Sequence, residues 1–428
     1  MTLRDGIQEA WRVWRRGGWA GIGRTLNARL LSRDLWARYS EAATNVASWM
    51  DFSEQEVADS QILHARFPGP LPIRSVGWFV PDFYHPFYGG VHTILRFADY
   101  LQRHAGVRSH FFVAGTSPAP RITNLIGQAF PALADAPVTR VPGYADIPAL
   151  PETDVSIATL WTTAYFLLKY NQTRRKFYFL QDYEALFYPA GSTAAQVEAT
   201  YHFGFYGLAN TPSVGKIYRE QYGGHAECFV PCVDTEIFRP AASRPNGPFT
   251  IFFYGRPEHP RNGFELGAAA LRRLKQRLGA GVRIVAAGAA WRPADLGLEG
   301  VVENLGLLGY TEAADLYRRC DAGLILMFTR HPSYLPLELM ASGCLVVTNH
   351  NPATQWLLRH RENCLLAQPS ATCLADALEW AVAHCDECRS IAAIAAREVL
   401  TRYSDWTREI SRMYGFMCDP GVGGGNAT

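Results

Sequence analysis

The sequence predicts two α/β domains in series, each built on a parallel sheet with helices on both faces. Short apolar runs typical of buried strands alternate with helical segments between residues 73 and 231, and again between 249 and 417. A segment rich in Pro, Ala, Ser and Gly at 240–248 separates the two series and indicates a linker. The chain has 428 residues, of which 48% are hydrophobic, so it holds enough apolar material for two cores.

This alternation divides the chain into four predicted parts. Residues 1–68 are expected to form a helical N-terminal extension that ends in a Pro- and Gly-rich linker, and 69–240 the first α/β domain. Residues 241–400 are expected to form the second α/β domain, and 401–428 a last helix with a Gly-rich flexible tail.

Composition and charge exclude several classes of protein. The net charge of +2 provides no global basic field for nucleic acid. No run of ~18 uncharged apolar residues indicates a membrane-spanning helix, and Arg12, Arg15 and Arg16 interrupt the apolar core that a signal peptide needs. The nine scattered cysteines indicate reduced thiols, and Cys385 and Cys388 lack a second pair at zinc spacing. We therefore expect a cytoplasmic protein without a metal site.

The first 36 residues carry a distinct pattern. They hold seven arginines against three acidic residues, and Trp11 and Trp14 share one helical arc with Ile7 while Arg12 and Arg15 face away. Tryptophan and arginine on such a helix suit a membrane interface with anionic lipid, which would make the protein peripheral to the inner membrane. The alternative is a helix that packs on the main body.

The predicted strands and helices place the loops in which a ligand would bind. In the first domain, strands are expected at 75–80, 108–114, 154–158, 175–180 and 228–231, with a helix at 91–104. In the second domain, strands are expected at 249–254, 282–287, 323–328 and 344–348, with helices at 264–278, 311–320, 336–342, 371–402 and 407–417. Open parallel sheets bind ligands at the carboxyl ends of their strands, so the loops that follow the strands are the candidate sites.

Two arginines follow the first strand of the second domain. Gly255 and Arg256 leave the strand directly, and Arg261 lies five residues later on the same loop. Guanidinium groups at this spacing can hold a pyrophosphate and stabilise charge on a leaving diphosphate. The alternative is a pair of solvated surface arginines.

A second loop leads into a helix that begins near Ser333. Backbone N–H groups at Ser333, Tyr334 and Leu335 can bind an anion, and a proline at 336 suits the first turn. Glu338, about one turn further, can accept hydrogen bonds from ribose hydroxyls. The alternative for Glu338 is an ordinary exposed carboxylate on a helix.

Two loops of the first domain are also candidates. Gly89 and Gly90 lie on the loop after the first strand, which also contains His85. Paired glycines let a backbone approach a ligand closely. The alternative is an ordinary turn.

The strand at 175–180 is followed at once by Gln181, Asp182 and Glu184, whose polar groups can hold sugar hydroxyls or assist an acceptor hydroxyl. The alternative for Asp182 is a helix N-cap.

Taken together, these residues resemble retaining glycosyltransferases of the GT-B fold, of the family 4 type. Gly255-Arg256 with Arg261, and Pro332-Ser333 followed by Glu338 and Gly343, match that pattern. The hinge at 230–240 and the segment from Trp406 also match, and the latter implies a last helix that crosses back to the first domain. Residues 179–184, 187–189, 253–257 and 331–334 are similar to bacterial rhamnosyltransferases of surface polysaccharide and S-layer glycan synthesis. The resemblance covers residues 73–415.

The resemblance implies a function and assigns roles. It implies metal-independent transfer of L-rhamnose from dTDP-rhamnose, with retention, onto a growing glycan or lipid-linked glycan, and without a resident cofactor. Arg256 and Arg261 would take the place of a metal, and Asp182 would meet the sugar or the acceptor. The remaining residues it assigns are Gly89, Gly90, Gly255, Gly309, Tyr310, Ser333, Tyr334, Leu335 and Glu338 for the donor, and His85, Gln181 and Glu184 for the acceptor.

One position departs from the pattern. The family usually has a second glutamate eight residues before the one that corresponds to Glu338, and this chain has Arg330 there. Two alternatives therefore remain open: a transferase that uses a UDP- or GDP-hexose, and a non-catalytic scaffold subunit of a glycan-assembly complex that keeps the fold.

Overall fold

Two parallel sheets, one in each half of the chain, organise the structure. The computed structural model describes residues 44–87, 89–242 and 247–422. The first sheet has the strand order β3-β2-β1-β4-β5-β6-β7 and the second the order β10-β9-β8-β11-β12-β13. Within the described residues every strand pair runs parallel. The predicted fold class, with two Rossmann-like α/β domains, is therefore confirmed.

The elements of the first half follow in regular alternation. The strands are β1 (Ser75–Pro81), β2 (Arg108–Ala114), β3 (Val138–Arg140), β4 (Thr153–Ala158), β5 (Thr173–Leu180), β6 (Tyr206–Asn210) and β7 (Ala226–Phe229). The helices are α1 (44–49), α2 (Glu54–Ala65), α3 (Gly89–Ala105), α4 (Ala119–Ala129), α5 (Trp161–Lys169), α6 (Ser192–Thr200) and α7 (Pro212–Tyr222).

The second half repeats the pattern. Its strands are β8 (Phe249–Tyr254), β9 (Val282–Ala287), β10 (Glu303–Asn304), β11 (Ala322–Leu324), β12 (Leu345–Asn349) and β13 (Leu365–Ala367). Its helices are α8 (Phe264–Leu278), α9 (Tyr310–Arg319), α10 (Leu335–Ala341), α11 (Ala371–Ala383), α12 (Cys385–Arg402) and α13 (Trp406–Cys418).

Helix α8 illustrates why these segments cover the sheets. Phe264, Ala268, Leu271 and Leu274 recur at three- to four-residue spacing and are buried against the second sheet. The last helix, α13, behaves differently from its neighbours. It buries Ile410 and other apolar residues in the core of the first sheet, so the end of the chain returns to the first domain.

In both sheets the strand order reverses beside the first strand of the domain. This point lies between β1 and β4 in the first sheet and between β8 and β11 in the second. The loops that leave these strands diverge there and open a crevice at their carboxyl ends. The crevice is therefore where a ligand should bind in each half.

Several sequence predictions need correction at element ends. The strand expected at 323–328 ends at Leu324, because the N–H of Met327 bonds to the side chain of Asn349 rather than to a strand. The strand expected at 228–231 ends at Phe229, because the N–H of Val230 donates to the carboxylate of Glu409.

Helix predictions also change in two places. Helix α3 begins at Gly89, two residues before the predicted start, so the paired glycines form its first turn. The segment 371–402 is two helices, because His384 at φ −120° and ψ 46° leaves the helical region.

The N-terminal extension is partly described. The tryptophan- and arginine-rich segment 1–36 lies outside the described residues. Val46, Met50 and Val57, from α1, α2 and the turn between them, pack against the first domain. No helix within the described ranges is long and apolar enough to cross a membrane.

Arg175 connects the end of α13 and the segment before β1 to the first sheet. Its side chain is 2% exposed and donates to the carbonyl oxygens of Met417 and Cys418, at 3.2 and 2.6 Å. It also donates to the carbonyl oxygens of Phe67, at 2.9 Å, and of Gly69. One buried guanidinium thus satisfies the end of α13 and the segment that precedes β1.

Replacement of Arg175 should therefore destabilise the first domain. Arg175→Ala leaves the carbonyl groups of Phe67, Gly69 and Met417 without this donor, while that of Cys418 keeps the N–H of Leu71. We expect the free energy of unfolding to fall by about 2–3 kcal/mol in urea denaturation. Arg174→Ala is the matched control, since Arg174 is 48% exposed and makes a 3.5 Å ion pair with Asp154. Equal losses for the two variants would contradict this role of Arg175.

Candidate active site

A cavity of about 210 Å³ lies where the carboxyl ends of the two sheets face each other. Both domains contribute to its wall, together with Cys232 of the hinge and Trp406 of α13. From the first domain come His85, Phe87, Gly89, His92, Thr93 and Arg96. From the second come Tyr254, Arg256, Leu307, Leu308, Gly309, Tyr310, Ser333, Tyr334, Leu335 and Glu338, among others.

Arg256 brings a positive charge to this cavity. Its guanidinium donates to the Tyr254 hydroxyl at 3.1 Å and contacts His259. Its Nε is buried and has no hydrogen-bond partner among the described residues. Arg256 therefore lines the cavity with a charged group that keeps one unpaired donor.

Gly255 places this arginine close to the sheet. Trp291 donates from its indole N–H to the carbonyl oxygen of Gly255 at 2.9 Å. A Cβ on Gly255 would lie 2.9 Å from the Trp291 ring, so a side chain there would displace the ring that supports the loop.

Glu338 lies on the same wall, in the first turn of α10. Burial raises the pKa of Glu338 to about 8, and the negative charge of Asp234 acts in the same direction. The carboxyl group is therefore mostly protonated at neutral pH in this structure.

The turn before α10 is held in an unusual conformation. Ser333 has φ 67°, in the left-handed region that non-glycine residues rarely adopt. Its N–H donates to Nδ1 of His331 at 2.9 Å, and burial lowers the pKa of His331 to about 3, which keeps that ring neutral. Such conformations persist where the surrounding structure determines them, often at ligand sites.

Tyr334 extends from this turn into the first domain. Its hydroxyl accepts a hydrogen bond from Thr93 at 2.6 Å and another from Asn210 at 3.1 Å. A Cβ on Gly89 would lie 3.1 Å from the Tyr334 ring. The lack of a side chain at Gly89 therefore lets the second domain approach the start of α3.

A charged network closes the hinge side of the cavity. Arg96 donates to Asp234 at 2.6 Å, and the Tyr310 hydroxyl donates to the same carboxylate oxygen at 3.0 Å. The Arg96 guanidinium also lies over the Trp406 ring, 5.1 Å from its centre. Sequence reasoning missed Arg96, because a polar residue on an amphipathic helix gives no signal of its own; Asp234 and Trp406 belong to segments that it did identify.

Asp182 and Arg261 meet at the domain seam and do not line the cavity. Asp182 is 8% exposed and accepts hydrogen bonds from the N–H groups of Tyr183, at 2.7 Å, and Arg330, at 3.2 Å. Burial raises its pKa to about 6, against the opposing positive charge of Arg261. The Arg261 guanidinium lies 4.5 Å from the centre of the Phe187 ring.

Glu184 and Gln181, which lie near Asp182 in the chain, do not line the cavity either. Glu184 is 2% exposed and accepts from the N–H of Trp161 at 2.7 Å, so it caps the start of α5. Burial raises the pKa of Glu184 to about 8. Gln181 donates to the carbonyl oxygen of Thr159 at 3.2 Å and packs against Gly90, where a Cβ would lie 2.5 Å from its amide oxygen.

The structure thus brings together part of the predicted set. Its members at the cavity wall are His85, Gly89, Arg256, Gly309, Tyr310, Ser333, Tyr334, Leu335 and Glu338. Its other members lie behind that wall or at the seam: Gly90, Gln181, Asp182, Glu184, Gly255 and Arg261. The sequence predicts that the Glu184 carboxylate faces the acceptor. In the structure this carboxylate is buried and caps the start of α5 instead. No group of three His, Cys, Asp or Glu side chains that could hold a metal occurs in the described part of the chain.

Comparison with protein families and curated sequences gives two matches. Residues 249–379 match the family described as "WsaF, C-terminal domain". The chain is 44% identical over 344 residues to the O-antigen biosynthesis protein RfbC of Myxococcus xanthus, which covers 80% of this chain. The chain spans 27% of the length of that relative.

Solved structures show the same architecture. Sucrose-phosphate synthase from Thermosynechococcus elongatus superposes with a TM-score of 0.63 at 14% identity, covering 80% of this chain and 98% of its own. HepE of Anabaena, in complex with UDP-glucose, gives 0.62 at 16% identity, covering 79% and 99%. At this level of identity the likeness concerns the fold, which is the GT-B fold.

The raised pKa of Glu338 predicts how stability depends on pH. The folded state favours the protonated carboxyl group, whereas in the unfolded chain this group ionises near pH 4.5. The free energy of unfolding should therefore fall as pH rises from about 4.5 to about 8. Glu338→Gln, which cannot ionise, should raise Tm by a few degrees at pH 8.5 and leave it almost unchanged at pH 5. Thermal melts across this range measure the effect, with the exposed Glu299→Gln as control. A gain that is the same at both pH values would contradict a raised pKa.

Proposed function

We propose that this chain is a glycosyltransferase that moves a sugar from a nucleotide-sugar donor to a growing bacterial surface glycan. The observation that supports this most strongly is the cavity at the carboxyl ends of both sheets, where Arg256 and Glu338 share one wall. The GT-B architecture and the similarity to an O-antigen biosynthesis protein point in the same direction.

The cavity wall offers groups that suit each part of a nucleoside diphosphate. Arg256 would hold the diphosphate with the backbone N–H groups from Ser333 to Leu335. Glu338 would accept hydrogen bonds from the ribose. The base would lie against residues 307–310, where Leu307 is 59% exposed and offers an apolar surface.

The first domain would complete the donor site. Gly89 lies at the N-terminus of the 17-residue helix α3 and lines the cavity, so its backbone would approach the phosphates with the positive end of the helix dipole. Gly90 would support this turn from behind, where it packs on Gln181. His85, on the same wall, would face the acceptor side.

For the sugar we propose L-rhamnose, carried by dTDP. The support is the sequence similarity of residues 179–184, 253–257 and 331–334 to rhamnosyltransferases. The crystal structure of HepE is a complex with UDP-glucose, so a UDP-hexose donor is the alternative within the same reaction class.

The proposed chemistry is substitution at the anomeric carbon with retention. The acceptor oxygen forms a bond to that carbon on the face from which the diphosphate departs, and the departing diphosphate oxygen takes the acceptor proton. Arg256 would stabilise the charge that develops on the leaving group without a metal. Arg261 would add positive charge from the seam, with Asp182 as the residue that positions it.

A scaffold subunit without catalysis is the second candidate. The observation that favours it is Arg330, which occupies the place of a carboxylate in the family pattern and has an exposed side chain. A scaffold would keep the fold and lose turnover, so turnover by the purified chain separates the two candidates.

We also propose that residues 1–36 contact anionic membrane. In liposome flotation, the full chain should float with anionic vesicles and a chain that begins at residue 44 should not. The shorter chain keeps α2, which packs on the first domain. Flotation of both chains to the same extent, or of neither, would contradict this contact.

Arg256→Ala tests the donor site directly. We expect kcat/KM with the nucleotide sugar to fall on the order of 10²-fold, the scale seen when a donor to a developing negative charge is removed. Arg292→Ala is the control, because its side chain is 83% exposed and pairs with Asp295.

Thermal-shift measurements with dTDP, UDP and GDP identify the nucleotide, since a ligand that binds the native state raises Tm. If no nucleotide raises Tm and no nucleotide sugar is turned over, the proposed function is wrong.

A further inference from the structure

The residue between the buried Asp182 and Glu184 belongs to a second polar cluster. Tyr183 is partly exposed, and its hydroxyl donates to Oε1 of Glu198 at 2.5 Å. The Tyr222 hydroxyl lies 2.6 Å from that of Tyr183 and bonds to the same carboxylate oxygen at 3.1 Å. Two phenols and one carboxylate therefore form a single polar cluster next to Asp182.

Aromatic rings surround this cluster. The Tyr183 ring lies 6.2 Å from that of Tyr222 and stacks on that of Tyr201 at 5.6 Å. His202 is exposed and lies edge-on to Tyr222 at 5.1 Å. We call Tyr183, Tyr222 and Glu198 the aromatic ledge.

Arg330 of the second domain lies beside the ledge. Its backbone N–H is fixed by Asp182, the residue just before Tyr183. Its side chain is exposed and makes no hydrogen bond or ion pair with any described residue. This backbone bond of 3.2 Å places Arg330 next to the residue that precedes Tyr183 in the chain.

The hydrogen-bonding capacity left at this place suits a sugar. Glu198 uses Oε1 for both phenols, and its Oε2 has no hydrogen-bond partner among the described residues. Arg330 offers unused donors at the other side. An acceptor oxygen, a cationic donor and flat aromatic surface are the groups with which proteins hold a polyhydroxylated ring. Because the two charges are opposite, a neutral sugar fits better than an anion.

We propose that the aromatic ledge and Arg330 form a binding subsite for a neutral sugar unit of the acceptor glycan. This rests on the proposed transfer reaction, and it assigns the acceptor to residues other than Glu184, whose carboxylate is buried. The subsite lies close to the donor cavity, because Arg330 is three residues from Ser333 and their Cα atoms are at most about 11 Å apart. One glycan chain can therefore reach both places, with its reacting end in the cavity and an inner unit on the ledge.

The test separates acceptor binding from donor binding. Labelled di- and trisaccharides of rhamnose, glucose and galactose serve as probes, titrated against the full chain saturated with the nucleotide that gives the largest thermal shift. We expect one of these sugars to bind with saturation, and Arg330→Ala and Tyr222→Ala each to weaken it about 10-fold, the effect of losing one charged hydrogen bond or one ring contact. Arg330→Lys should restore part of the affinity. The exposed Arg273→Ala, on α8, is the matched control and should bind the sugar as the native chain does.

Nucleotide affinity is measured for the same variants. It should stay within about 2-fold of the native value for Arg330→Ala, because a subsite on the ledge does not contact the donor. A rise in the nucleotide Kd in place of the sugar Kd would overturn the subsite and assign Arg330 to the donor. Failure of every probe sugar to bind, while nucleotide still binds, would overturn the subsite and leave the proposed function standing. Failure of nucleotide binding itself would count against the proposed function.

Discussion

The contact between Tyr334 and the start of α3 sets the geometry of the cleft. The tyrosine reaches from the second domain into the first, and its hydroxyl is held by Thr93 and Asn210. Gly89 leaves room for this ring, since a Cβ there would lie only 3.1 Å from it. Tyr334 also lies between the left-handed turn at Ser333 and the start of α10, so this interdomain contact joins the first domain to the cavity wall.

The charges of the cleft follow from where each group is buried. Arg256 keeps an unused donor at the cavity wall, whereas Glu338 is mostly neutral at pH 7 because burial raises its pKa. Arg261 is balanced by Asp182 at the seam. The resting cavity therefore presents Arg256, the paired Arg96 and a neutral carboxylic acid, a combination that favours entry of a dianionic diphosphate over that of a cation.

The sequence predicted more of the fold than of the site. Strand and helix periodicity placed α8 and β8 at their observed bounds, because both bury one continuous apolar surface. The sequence could not show which side chains of 181–184 are buried. A carboxylate that caps a helix, as Glu184 does, has the same local sequence as one that contacts a ligand. Arg96 pairs with Asp234, which lies 138 positions further along the chain, and a local sequence pattern cannot predict such a contact.

Hydrogen–deuterium exchange with and without a nucleoside diphosphate tests the central claim most directly. If the cleft binds the donor nucleotide, saturating dTDP or UDP should slow exchange in peptides that cover residues 254–262, 307–312 and 330–340, all of which contribute to the cavity wall. Peptides of α11, on the far side of the second domain, should be unaffected. Unchanged exchange in all three segments, or protection confined to another surface, would contradict a nucleotide-sugar site between the domains.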